Sequence, residues 1–135
     1  MNAKILTTCF FLGFNFVFSQ STYLTSIEPS KTTMEGVAYY QISKCQELAW
    51  FRDKVNSGFT EINAILTKNI NCYTNSSLDT NYAASWEPIA YDSTKAYKGE
   101  FDGNGYTISN ICVRQSETKN GLYGLFGYVR GIIKN

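Results

Sequence analysis

Histidine is absent from this sequence of 135 residues, proline occurs only twice, and charged side chains make up just 17% of it. Without imidazole the chain has no Ser-His-Asp or Cys-His nucleophile system and no His-ligated zinc. It also lacks the side chain best suited to proton transfer near neutrality. The 12 basic and 11 acidic residues leave a net charge of +1 with no cluster of one sign. That removes the electrostatic footprint of a nucleic-acid binder, which needs grouped Lys and Arg to displace counterions from phosphate. Long apolar runs are missing too: Cys9 to Phe18 falls short of the ~20 residues a membrane-spanning helix needs. Aromatic residues (16%) and ten glycines are what remains in quantity. This composition suits a single, small, β-rich extracellular domain.

Residues 1–19 have the order of an export signal. Lys4 supplies a positive start, CFFLGFNFVF (9–18) an apolar stretch of the right length, and Val17-Phe18-Ser19 a cleavage context. Cleavage is expected near Ser19, before or after Gln20, leaving a soluble chain that is secreted or held at the cell surface. The Leu6-Thr7-Thr8-Cys9 segment is not a lipidation box, because the apolar run follows the cysteine instead of preceding it.

Export permits disulfides. Cys45, Cys72 and Cys112 remain after processing and show no CxxC spacing, so neither a redox motif nor a zinc knuckle is indicated. Cys45 to Cys72 is the favoured bridge if one forms. Three small buried thiols are the alternative.

Along the mature chain, residues 20–41 are rich in Ser and Thr, carry Pro29 and Gly36, and show no sustained apolar period. They are expected to be a leader or linker, with Tyr39 to Ile42 as a short strand at most. Ser43 with Gln46 fits a capping box, and Leu48, Phe51 and Val55 then recur on one helical face flanked by Cys45 and Ala49. The spacing predicts a helix over 44–57, closed by Gly58 in a left-handed cap. Trp50 falls on the opposite side, so it either packs against the leader or is exposed.

Beyond Gly58 short apolar pieces alternate with Asn, Gly, Ser and Thr, the pattern of strands joined by tight turns. Ala64 to Thr67 and Asn69 to Asn71 come first, and residues 73–85 form a polar loop with a glycosylation sequon at Asn75-Ser76-Ser77. Thr107-Ile108-Ser109-Asn110 and Ile132-Ile133-Lys134-Asn135 share a form at an offset of 25 residues. Self-similarity at that spacing points to a solenoid of stacked coils. Ile108 and Ile133 would then face inward, and Asn110 and Asn135 would occupy corners.

Trp86-x-Pro88-Ile89, the stretch YKGEFDGNGYTISNI (97–111) and Gly124-Leu125-Phe126-Gly127, in that order, resemble the GLUG-motif family of bacterial secreted and surface proteins. The resemblance covers about 42–135. It implies a mainly β fold, a right-handed parallel β-helix (solenoid) segment related to filamentous-haemagglutinin-type adhesins, with an N-terminal capping α-helix over the open end of the stack. Two departures stand out: Ala90 occupies a place where Gly usually follows, and one full motif is present where several are normal. Gly99, Gly103 and Gly105 are expected to supply positive φ at corners, and Gly124 and Gly127 to bracket the apolar Leu125-Phe126 pair.

The implied role is structural or adhesive, without catalysis, metal or cofactor, and the expected partner is a cell-surface protein or glycan. Asp102-Gly103-Asn104-Gly105 fails both the EF-hand and the Gly-Gly-x-Gly-x-Asp calcium patterns and is assigned to turn chemistry. Gly103-x-Gly105 lacks the third glycine of a dinucleotide fingerprint. The one catalytic arrangement the composition permits is Glu100 with Asp102, two apart on a strand and therefore on one face. A polysaccharide-degrading or polysaccharide-binding β-helix is thus the alternative function. It would require the pair to face one cleft with a basic or aromatic partner. Tyr91, Tyr97, Tyr106 and Tyr123 are candidates for a stacking surface, although strands favour aromatics in any case. Because the sequence stops within the second copy of its repeat, the expectation is an incomplete stack, prone to self-association through its C-terminal end.

Overall fold

In the computed structural model, which describes residues 25–72, 86–111 and 121–135, the first regular element is a hairpin. Strands β1 (Lys31–Met34) and β2 (Val37–Ile42) pair antiparallel around Glu35-Gly36. Both turn residues have positive φ, 52° and 82°, as a tight hairpin turn requires. Much of the segment expected to be a leader is therefore sheet. Its Ser and Thr residues sit on an edge strand open to water, so no apolar alternation marks them. The export signal and the sequon lie outside the described residues.

Helix α1 (Cys45–Asn56) follows the periodicity, burying Leu48, Phe51, Val55, Ala49 and Cys45. Its N-terminus begins one residue later than the capping box predicts. The Ile42 carbonyl accepts from Thr67 N–H at 2.9 Å, which keeps the chain extended through Ser43. Lys44 becomes the N-cap, and Glu47, not Gln46, reaches back to the Ser43 N–H and hydroxyl at 2.8 and 3.0 Å. At the other end Gly58 (φ 115°) donates to Val55 O and Phe59 donates to Lys54 O, the paired bonds of a Schellman cap. Trp50 packs on Tyr40 of β2, ring centroids 4.9 Å apart.

Strands β3 (Asn63–Leu66), β5 (Glu100–Asp102) and β7 (Ile132–Lys134) extend the hairpin into a five-stranded sheet of order β1-β2-β3-β5-β7, parallel from β2 onward. Tyr40, Ala64, Phe101 and Ile133 stand in one register row. A second sheet pairs β4 (Ile70–Asn71) with β6 (Ile108–Ser109), again parallel. Isolated parallel bridges join Ile89 to Phe126 and Tyr97 to Val129. The described residues thus form a mixed α/β domain with predominantly parallel pairing.

The repeat is phased differently from the expectation. Ile133 pairs with Phe101 and Ile108 pairs with Ile70, so the two isoleucines belong to different sheets. The similarity at 25 residues therefore does not mark equivalent positions. Ile133 lies on the core side of its row yet is 47% exposed, because it stands on the edge strand. Asn110 does occupy a left-handed corner (φ 57°).

Between the sheets and α1 lies a core of Ile42, Leu48, Phe51, Val55, Leu66, Ile70, Trp86, Ile89, Tyr97 and Phe101. Phe51 meets Tyr97 and Phe101, and Phe126 meets the same two rings, with centroids 5.2–5.8 Å apart. Cys45 and Cys72 are disulfide-bonded, tying the first turn of α1 to the end of β4. Cys112 lies outside the described residues.

Of the three corner glycines, Gly105 alone has positive φ (74°), preceded by Asn104 at 48°. Gly99 is needed instead for close approach: a Cβ there would collide with the Ile62 carbonyl. Gly103 likewise leaves room for the Asn135 side chain, whose Oδ1 would stand 2.6 Å from an added Cβ.

Candidate functional site

Because side chains alternate along a strand, the in-register ladder sorts residues into rows on either face of the sheet. Ala64 and Phe101 are buried in the core, and half-buried Tyr40 of the same row packs on Trp50. The opposite face carries Tyr39, Asn63, Glu100 and Ile132 in one row and Gln41, Ile65, Asp102 and Lys134 in the next.

Glu100 and Asp102 flank the inward Phe101 and point to this outer face together. Lys134 bridges them, with Nζ 2.8 Å from Glu100 Oε1 and 3.3 Å from Asp102 Oδ2. Tyr39 donates its hydroxyl proton to Glu100 Oε1 at 2.9 Å. Asn63 Oδ1 accepts the Glu100 N–H at 2.8 Å, fixing the strand that carries the carboxylate. Asp102 is also committed to its turn, where Oδ1 accepts the Asn104 N–H at 2.8 Å.

These contacts set the charge states. The hydrogen bond from Lys134, followed by that from Tyr39, holds the Glu100 carboxyl below its ordinary value. Hydrogen bonds to Glu100 and then to Asp102 raise Lys134 above its usual range, and the hydrogen bond to Glu100 raises the Tyr39 phenol. The cluster is therefore an ionic knot in which two carboxylates share one lysine. Beside it lies a shallow open depression of about 380 Å³ lined by Glu61, Asn63, Lys98, Gly99, Glu100 and Ile132.

The structure brings together the two carboxylates named from sequence, with a basic and an aromatic partner. It does not gather the four tyrosines. Tyr97 is fully buried, donates to the Ile62 carbonyl at 3.0 Å, and has its phenol pushed well up by burial. Tyr106 and Tyr123 are exposed and Tyr91 is half-buried. Sequence reasoning missed Tyr39, Asn63 and Lys134. Tyr39 lies in the short strand it recognised, but only the parallel register places it across β3 from Glu100. Among the described residues no group of three or more Cys, Asp or Glu side chains is placed to hold a metal ion, and no helix is long and apolar enough to cross a membrane.

No protein-family model matches the chain, and no solved structure matches it. Among curated proteins, 71 residues, 52% of this chain, are 37% identical to a stretch of Halomucin from Haloquadratum walsbyi. The chain spans about 1% of the length of that relative.

Proposed function

We propose that this chain is a structural and interaction module, a parallel β-helix segment of a secreted or cell-surface, adhesin-like protein, with no catalysis of its own. The observation that carries this reading is the unshifted register row Tyr40, Ala64, Phe101, Ile133, accompanied by a second parallel sheet and two isolated parallel bridges. Parallel pairing at several places between successive passes of one chain is what coils of a solenoid produce. Parallel crossovers within a sheet are right-handed in nearly all proteins, which gives the coil its hand. The match to a small part of Halomucin supports a module that also occurs inside a much longer polypeptide.

A polysaccharide-active site is the second reading, and the shared face of Glu100, Asp102, Lys134 and Tyr39 is what favours it. The electrostatics weigh against hydrolysis. A general acid for glycoside cleavage needs its pKa raised, whereas Lys134 and Tyr39 lower that of Glu100. Binding without cleavage would use the same face.

The test is to incubate the exported chain and its Glu100→Gln/Asp102→Asn variant with a polysaccharide panel, measuring reducing ends and retention on immobilised glycans. The proposal expects no release of reducing ends by either protein. Release by the wild type that the double variant abolishes would establish the enzymatic reading. Retention without release, weakened in the variant, would make the module a glycan binder.

A further inference from the structure

An asparagine followed by glycine is the dipeptide most prone to cyclise on itself, because glycine has no Cβ to shield the attacking nitrogen. The chain contains two such pairs, Asn104-Gly105 and Asn120-Gly121. Asn120 lies outside the described residues. Asn104-Gly105 forms the turn after β5, with both residues exposed and both at positive φ. Nothing stands within 4 Å of where a Cβ on Gly105 would be. Packing therefore does not keep water from this corner.

Hydrogen bonds from separate passes of the chain restrain it instead. Asn104 Nδ2 donates to the carbonyl of Leu66, the last residue of β3, at 3.2 Å. Gly105 N–H donates at 2.9 Å to Oδ1 of Asn135, the residue after β7. Asp102 Oδ1 accepts the Asn104 N–H at 2.8 Å, and the Gly103 carbonyl accepts that of Tyr106 at 2.8 Å. Ring closure needs the Asn104 side chain swung back over its own main chain and the Gly105 N–H free to give up its proton. The bond to Leu66 opposes the first movement, and the bond to Asn135 opposes the second.

We propose that Asn104 is a latent site of self-modification that the stacking of β3, β5 and β7 holds shut. When the stack opens, the Gly105 nitrogen loses its proton to solvent base and attacks Asn104 Cγ. The Cγ–Nδ2 bond breaks, the leaving nitrogen takes up a proton and departs as ammonia, and a succinimide ring remains. Water then adds to either ring carbonyl and gives aspartate or isoaspartate, so the balance is water in and ammonia out. The product cannot rebuild the corner. Its carboxylate offers no donor to the Leu66 carbonyl, and it places a second negative charge close to Asp102. Opening of the stack is thereby recorded as a covalent change.

The experiment holds the exported chain in mildly alkaline buffer, either folded or in denaturant with reductant, and follows Asn104 by peptide mapping for the mass gain and for isoaspartate. Asn120-Gly121 in the denatured samples supplies the unrestrained rate for the same dipeptide. Conversion at Asn104 should be about tenfold or more slower in the folded chain, and hydrogen exchange at the Gly105 amide should be slowed likewise. Asn135→Ala frees the Gly105 N–H and should speed both about two- to tenfold, the worth of one hydrogen bond. Gly36→Ala strains the β1–β2 turn instead and should speed neither. Equal conversion in folded and denatured chains overturns the proposal. So does an Asn135→Ala chain that converts no faster than the wild type. Acceleration by Gly36→Ala to the same extent as by Asn135→Ala would also overturn it, because protection would then belong to global stability and not to this corner.

Discussion

Asn56, the last residue of α1, holds Ala90 in a left-handed conformation: its Oδ1 accepts the Ala90 N–H at 2.6 Å, and Ala90 has φ 59°. The same side chain donates from Nδ2 to the Pro88 carbonyl at 3.2 Å. Helix end and Trp86-to-Ala90 segment are thereby fastened through one amide. The φ of Ala90 lies in the region that glycine adopts without strain. Asn56→Ala should destabilise the protein by about 2–4 kcal/mol in urea unfolding, because two main-chain groups at a buried site lose their partner. Ala90→Gly and Ala64→Gly remove equally buried methyls, but only the first relieves a left-handed backbone. The first should therefore cost about 1–2 kcal/mol less. Equal costs would show that φ at Ala90 carries no strain.

Gly99 lies against backbone on two sides. An added Cβ would strike the Ile62 carbonyl, and the Gly99 carbonyl is itself what a Cβ on Gly131 would strike. Neither neighbour is a side chain that can turn aside. Gly99→Ala should cost about 3 kcal/mol, at the upper end for overpacking. Gly36→Ala, which meets no atom within 4 Å, should cost only the strain of its positive φ, about 1–2 kcal/mol.

The Cys45–Cys72 disulfide closes a loop with a sequence separation of 27. Loop-closure entropy puts its contribution at about 3–4 kcal/mol. Replacing both cysteines with alanine should lower the unfolding free energy by that amount, and reductant should reproduce the loss in the wild type. An unchanged denaturation midpoint would count against the bridge.

The ionic knot predicts a pH profile with two limits. Glu100 titrates lower in the folded chain than its ordinary 4.5, so its contribution is complete above that value and is lost as pH falls through the depressed one. Lys134 titrates above 10.5 when folded, so its contribution is complete below 10.5 and disappears as pH rises through the raised value. Glu100→Gln should flatten the acid limb of a plot of thermal midpoint against pH. An acid limb identical to the wild type's would place the sensitivity elsewhere.

Processing near Ser19 predicts that mass spectrometry of exported protein finds Gln20 or Ser21 at the N-terminus. Intact Met1 outside the cell would refute it.

Local chemistry was legible in the sequence wherever partners are close along the chain. Helix α1 declares itself through the i, i+3 and i+7 apolar face and Gly58, and the turn at Asn104-Gly105 through its dipeptide. Only tertiary structure decided which strands meet. Parallel partners are separated by unequal lengths of chain, 24 residues from Tyr40 to Ala64, 37 from Ala64 to Phe101 and 32 from Phe101 to Ile133. No constant period survives in the sequence, and a local likeness between residues 107–110 and 132–135 suggested the wrong pairing. The same non-local register made edge residues 31–34 sheet without apolar alternation, and moved the N-cap from Ser43 to Lys44 through the hydrogen bond from Thr67. It also set Lys134 beside Glu100. Spacing within one strand put Glu100 and Asp102 on a common face, but whether those carboxylates stood free or shared a cation depended on a lysine that only the pairing of β5 with β7 brings beside them.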